Sequence, residues 1–245
     1  MRFSTPLLPG RLVKRYKRFL ADIELNSGEL ITAHCANSGA LLGGTTPGLK
    51  VWVSHNPSPT RKLHYSWQIV EMDNTLVGVN TSLPNGIAEE AILAERILEL
   101  VGYEHLKREV KYGTNSRIDL LLTSPNKPPC YVEVKNVHLK REGGAQFPDS
   151  VTTRGAKHLR ELESMVAQGA RAVMLYVIQR TDCDHFSFAA DIDPVYAKTA
   201  AQALSNGVEA YAYVCDVTMQ GIALTHSISV IPDAATVCKE FLLSP

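Results

Sequence analysis

The sequence predicts an α/β chain in two parts: a small antiparallel β-barrel or sandwich, followed by an α/β unit built on a central mixed sheet. Two observations carry this. Between residues 10 and 80, short strand-like runs alternate with turn signals, a spacing suited to a small all-β unit. Near Leu83 the apolar period changes from two to that of a helix, and the order that follows reads α-β-β-β-α-β. The 245 residues, 45% hydrophobic and 20% charged, provide for a real core in each part. A division at 82/83 gives units of 1–82 and 83–245.

Taken in order, the first unit contains the runs "RFLADIEL", "LITAHC", "LKVWVSH", "YSWQIVEM" and "LVGVNT", separated by "NSGE", "ANSG", "NPSPT" and "DN". An oligonucleotide-binding type of barrel suits this length, although spacing alone does not separate it from other small β folds. In the second unit, Ile87, Ala91, Ala94, Leu98 and Val101 recur at helical spacing, with Asn85 or Gly86 to open the helix and Gly102 to close it. Three strand-like runs follow: "HLKREVKYG", "RIDLLL" and "CYVEVKNV". A second helix is expected from Val151 to Ala167, capped by Asp149 or Ser150, and then the buried strand "RAVMLYVI". A strand "HFSFAADI", a helix from Pro194 to Asn206 and the strands "VEAYAYVCDV" and "GIALTHSISVI" complete the chain.

Net charge is zero, yet unevenly spread. Residues 1–80 hold 9 Lys and Arg against 5 Asp and Glu, whereas residues 181–245 hold 2 against 8. At the front, "RLVKRYKRF" sets Arg11, Lys14, Arg15, Lys17 and Arg18 around Tyr16 and Phe19. Such a patch suits a nucleic-acid backbone and its bases; it also suits the solvated edge of a strand. No apolar run approaches a membrane span and no signal core precedes the basic cluster, so a cytoplasmic location is expected. The five cysteines show no zinc-type spacing and read as buried small hydrophobes.

The segment "SRIDLLLTSPNKPPCYVEVKNV" places acids and a lysine within two otherwise apolar strands. If the strands form a hairpin symmetric about Asn126, Asp119 faces Glu133 and Arg117 faces Lys135, all four on one side. Ile118, Leu120, Leu122, Cys130, Val132 and Val134 would then form an apolar opposite side. Two carboxylates across a sheet repel unless a cation lies between them. Oxygen ligands suit Mg2+ or Mn2+ better than zinc. Lys135 could position a water or stabilise charge on a phosphate. On a helical projection Glu90 falls inside the apolar arc, where it could become a third acid of the site. An ordinary charged sheet surface and a salt-bridged helix acid are the plain alternatives.

His158 falls on the apolar arc of the second helix and reads first as a satisfied core histidine. His34 and Cys35 have no partner acid at readable spacing and read as a strand end. Gly39, Gly43, Gly44 and Gly48 precede neither a Lys-Ser/Thr pair nor a helix, so they read as turns.

An acid, a loop and Glu-x-Lys on a strand, in α-β-β-β-α-β order, resembles the PD-(D/E)xK nuclease superfamily, with Ile118 where a proline often stands. The segments "RYKRFLADIEL", "HCANSGALLGGTTPG", "REVKYGTNSRIDLLL", "CYVEVKNVHL" and "FPDSVTTRGAKHLREL" together resemble the sugar fermentation stimulation protein A family. Ala36 and Ser38 depart from its "HCPNTG" pattern. The resemblance implies an oligonucleotide-binding barrel joined to a nuclease-like domain, non-specific DNA binding, and a regulatory role in maltose or general sugar use. In the superfamily a polar helper often follows the Glu-x-Lys strand, which points to Arg154 and Lys157 as phosphate contacts.

The expected function is DNA binding by the barrel, through Arg15, Tyr16, Lys17, Arg18 and Phe19, with a Mg2+- or Mn2+-dependent phosphodiesterase site in the second unit. Asp119 and Glu133 would bind the metal, Lys135 would assist the attacking water, and Glu90 would be an accessory ligand or base. The rival is a DNA-binding regulator on a silent nuclease scaffold; an enzyme acting on a small phosphorylated or sugar-related ligand is a third. Oligomeric state is left open, a homodimer included.

Overall fold

The computed structural model describes residues 1–232. Six strands form the first sheet: β1 (Leu8–Tyr16), β2 (Leu20–Leu25), β3 (Leu30–His34), β4 (Lys50–His55), β5 (Tyr65–Met72) and β6 (Thr75–Gly78), in the order β3-β2-β1-β4-β5-β6. A short parallel pairing of Ala33 with Tyr65 and His34 with Ser66 joins β3 to β5 and closes β1–β5 into a barrel. Its interior holds Leu12, Ile23, Ile31, Val51, Val53 and Trp67.

The first part of the basic run, Arg11 to Tyr16, lies in β1, which pairs with both β2 and β4. Its charges hide a strand pattern in which Gly10 and Leu12 point inward while Arg11, Val13 and Lys14 are exposed. Gly10 cannot be larger, because a Cβ there would overlap the Glu24 carbonyl.

The second sheet has nine strands: β7 (His105–Tyr112), β8 (Ser116–Ser124), β9 (Lys127–Val137), β10 (Leu139–Arg141), β11 (Gly144–Phe147), β12 (Arg171–Ile178), β13 (His185–Phe188), β14 (Glu209–Val217) and β15 (Ile222–Ile231). Their order is β10-β11-β13-β15-β14-β12-β9-β8-β7, parallel at β12–β9 and β12–β14 and antiparallel at the β7–β8–β9 edge. Helices α2 (Thr153–Ala167) and α3 (Pro194–Ser205) cover one face with Leu159, Leu162 and Tyr196. Helix α1 (Pro84–Leu93) covers the other with Ile87, Ala88 and Ala91, and the barrel's Ile69, Trp52 and Leu76 join that same core. Strand β12, covered on both faces, reads as the continuous apolar run expected of a central parallel strand.

The first helix is shorter than its periodicity predicts. Glu95 adopts a left-handed conformation with φ 55°. Arg96 N–H then donates to the Ala91 carbonyl and Glu95 N–H to that of Ile92, a Schellman closure formed without glycine. Leu98–Leu100 is a single 3-10 turn. The second helix starts at Thr153 with Thr152 as its cap, whose hydroxyl accepts from Gly155 N–H. Asp149, an expected cap, instead accepts from Leu41 N–H in the barrel at 2.8 Å. The β10–β11 hairpin, written in polar residues, interrupts the expected order. Cys35, Cys130, Cys183 and Cys215 are buried free thiols, and Cys238 lies outside the described residues. Among the described residues no helix is long and apolar enough to cross a membrane.

The two sheets meet at the end of β12. Gly78 N–H donates to the Gln179 carbonyl at 2.8 Å. Arg180 is buried there and donates to both Asp182 oxygens (2.6 and 2.8 Å), to the His138 carbonyl (2.9 Å) and to Asp73 of the β5–β6 turn (3.3 Å). Burial would raise the Asp182 carboxyl, but Arg180 and Lys140 hold it far below the usual range. Replacing Arg180 by alanine should therefore cost about 3–5 kcal/mol at neutral pH, read from the urea midpoint. A depressed acid stabilises the fold above its unfolded pKa, so the wild-type margin should shrink as pH falls below about 4.

Candidate metal centre

The β8–β9 hairpin turns through Pro125 and Asn126, and its middle keeps the register expected from symmetry about Asn126. Leu120 pairs with Val132, Leu121 with Tyr131 and Leu122 with Cys130, before a one-residue shift brings Ser124 opposite Lys127. The prolines Pro128 and Pro129 precede Cys130, where pairing with β12 begins, so no ladder hydrogen bond is lost on that side.

Past Leu120 the β8–β9 ladder stops, and Asp119 takes over its work. Asp119 Oδ2 accepts the Val134 N–H at 2.8 Å, and Oδ1 accepts from Asn85 Nδ2 at 2.8 Å. A side chain of β8 thus satisfies the backbone of β9, and the two strands fork around it. Glu133, 3% exposed, projects beside this fork. Its Oε1 accepts from Lys135 Nζ at 2.7 Å and bonds His158 Nδ1 from α2. His158 Nε2 accepts from Arg154 Nε at 3.3 Å, which leaves the ring proton on Nδ1, facing Glu133.

Burial and the neighbouring Glu133 charge push the Asp119 carboxyl up, against the Val134 N–H, Asn85 and Lys135. Burial also acts to raise Glu133, but Lys135 and His158 prevail and hold it below the usual range. Glu133 Oε2 is buried with no protein partner, as is the Tyr112 hydroxyl. Burial and the charges of Glu133, Glu161 and Asp119 raise that phenol far above its normal value, so it stays neutral. Two carboxylates on adjacent strands, one with an unsatisfied buried oxygen and a lysine alongside, form a donor set suited to a hard divalent cation that keeps its remaining positions for water or phosphate. Among the described residues, no three His, Cys, Asp or Glu side chains converge as a larger ligand set.

Several expected members lie elsewhere. Glu90 is 52% exposed and pairs with the Met1 ammonium at 2.8 Å. Because α1 ends at Leu93 and buries Ile87, Ala88 and Ala91, Glu90 turns outward, and Asn85 is the helix residue that reaches Asp119. Arg117 is exposed and donates to the Glu109 carbonyl. Ile118 packs in the α2–α3 core, whereas Leu120 and Leu122 pack beneath α1, so the strand changes sides at Asp119. Asn85 carried no readable signal. The position of His158 on the apolar arc did, although a core role was the first reading.

The nucleic-acid candidates divide by what they already hold. Arg15 donates to the carbonyls of Arg18, Asn37, Gly39 and Ala40, and so supports the loop after β3. The Tyr16 hydroxyl donates to Asp22. Lys17 and Arg18 form the left-handed β1–β2 turn, with φ 49° and 63°, and are exposed. Phe19 is 46% exposed and stacks on His34 at 6.5 Å. On α2, Arg154 orients His158, and Lys157 Nζ donates to the Thr114 carbonyl at 3.0 Å.

Comparison with known proteins agrees with this architecture. Residues 13–79 match the SfsA N-terminal OB domain, and residues 82–221 match the sugar fermentation stimulation protein RE domain. A sugar fermentation stimulation protein homolog from Paramagnetospirillum magneticum is 57% identical over 91% of this chain and 95% of its own length. One from Rhodospirillum centenum is 58% identical over 93% and 98%. The solved structure of Pyrococcus furiosus SfsA, in complex with Ca2+, superposes with a TM-score of 0.86 at 27% identity, covering 94% of this chain and 98% of that one. With both domains matched in order, and close relatives spanning nearly its whole length, the chain belongs to the sugar fermentation stimulation protein (SfsA) family.

Proposed function

We propose that this chain is a DNA-binding protein whose barrel, residues 1–82, grips nucleic acid, and whose second unit, residues 83–245, carries a Mg2+- or Mn2+-dependent phosphodiesterase site. The observation that carries the reading is the fork itself. Asp119 and Glu133 stand on adjacent strands, and Glu133 keeps one buried oxygen without a protein partner. The Ca2+ of the Pyrococcus furiosus relative supports a divalent cation in this family.

Asp119 and Glu133 would hold the ion. When bound, it would lower the pKa of a coordinated water and offset charge on the phosphate. Asn85 and the Val134 N–H orient the Asp119 carboxylate, while His158, itself held by Arg154, orients Glu133. Lys135 lies against Glu133 and would orient the attacking water or stabilise the phosphate. Arg154 and Lys157, exposed on α2, and Lys17, Arg18 and Phe19 on the barrel turn would meet the backbone and bases.

One observation favours the second reading, a regulator that binds DNA without cutting. Lys135 and His158 both engage Glu133 Oε1, so most of the site is satisfied within the protein.

Purified protein should cut single- or double-stranded DNA with Mg2+ or Mn2+, and Asp119→Ala, Glu133→Ala and Lys135→Ala should each slow cutting by about 10²-fold or more. No cutting on any substrate by wild type that still binds leaves the regulator. Mg2+ should raise the melting temperature of wild type, through preferential binding to the folded state, and leave Glu133→Ala unmoved. Lys17→Ala with Arg18→Ala should weaken DNA binding and reduce the salt slope by roughly 2, as measured by fluorescence anisotropy across a salt series. An unchanged affinity would place the DNA on another surface.

A further inference from the structure

Where the barrel meets the second unit lies a cleft of about 460 Å3, bordered by Arg18 and Ser38 from the barrel and by Asn136, His138, Phe147 and Asp149. It runs through Arg18, Ser38, Gly39 and Ser150 into a second hollow of about 400 Å3, flanked by Lys17 and Tyr16. We propose that this cleft is a binding site for one unpaired nucleotide, with the phosphate at the Lys17–Arg18 rim and the base or sugar against His138 and Asp149. The proposal rests on the nucleic-acid reading above and narrows it to an unpaired strand.

The floor is built from polar groups that are buried or half-buried. His138 is 4% exposed. Its Nε2 stands 3.2 Å from Asp149 Oδ2 without forming a hydrogen bond. Asp149 also accepts from Leu41 N–H, and Ser150 Oγ lies 3.4 Å from its other oxygen. A Cβ on Gly39 would overlap the Asp149 carboxylate, so glycine is what lets the barrel loop close over it. Burial raises this carboxyl, but His138 and the Leu41 N–H more than offset it, and Asp149 is ionised at neutral pH.

That charge decides the ligand's orientation. A phosphate is repelled by Asp149 and attracted by Lys17 and Arg18, while a base or sugar offers donors to the carboxylate and an apolar face to Phe147. Hollows of this volume take a small ligand the size of one nucleotide, not the body of a paired helix. Asn136 follows Lys135 near the end of β9, and His138 stands one residue past its last residue, Val137, so the floor lies about five residues, ~17 Å of extended chain, from Glu133.

The test measures binding in EDTA, so that cutting plays no part, using a short single strand carrying 2-aminopurine, its blunt duplex and the 2-aminopurine deoxynucleoside monophosphate. Ser150→Trp and Ser38→Trp fill the cleft from opposite walls, and each is first matched to the wild-type urea midpoint. Wild type should bind the single strand with a fluorescence change, and both variants should bind it about tenfold or more weakly while holding the duplex unchanged. If only the monophosphate binds and the tryptophans block it, the cleft holds a free nucleotide: the site stands and the DNA reading fails. If wild type binds duplex but neither unpaired probe, the cleft inference falls and DNA binding remains. Variants that bind both unpaired probes as wild type does would also overturn it, as would a wild type that binds no probe.

Discussion

The structure turns on one carboxylate doing the work of a backbone. At Asp119 the β8–β9 ladder ends, and its side chain accepts the Val134 N–H that would otherwise be left unpaired. The strands can fork there without stranding a buried donor. Glu133 and Lys135 are held next to the fork because β9 remains paired to β12 along that whole stretch. One side of the site is thereby opened and the other kept rigid, a combination that suits a group that must be both positioned and accessible.

The same economy governs the barrel's cations. Arg15 lies in the middle of a basic run that suggests a charged surface, yet its guanidinium holds four carbonyls. The planar fork of arginine makes this possible where lysine could not. Lys17 and Arg18, two and three residues on, stand in the turn with their charges in solvent. Neighbouring charges in one motif therefore divide between building the loop and facing solvent.

The acid pair was legible because it violated the apolar pattern of its strands, and the register because the hairpin loop is bounded by turn residues. Glu90 was misplaced for a specific reason. Helical periodicity continues through Ala94 and Leu98, but the chain leaves the helix at Glu95 by adopting a left-handed conformation that sequence rarely signals outside glycine and asparagine. Asn85 could not be seen, since its role depends on where α1 lands against β8. Strand β1 was legible only as one of two readings of the basic run, because outward-facing charges masked its inward Gly10 and Leu12. Local pattern reported burial well; it did not report which polar side chains are captured by a distant backbone.

Ile69, Trp52 and Leu76 of the barrel lie in the same core as α1 and strands β8, β9 and β12. The β5 strand therefore belongs to two interiors at once, with Trp67 turned into the barrel and Ile69 packed into the core beneath α1. Loss of either interior exposes apolar surface of the other, which couples their melting into one cooperative event. The barrel is less a module tethered by a linker than a wall of the second unit's core, and a substitution deep inside it will be felt at the acids.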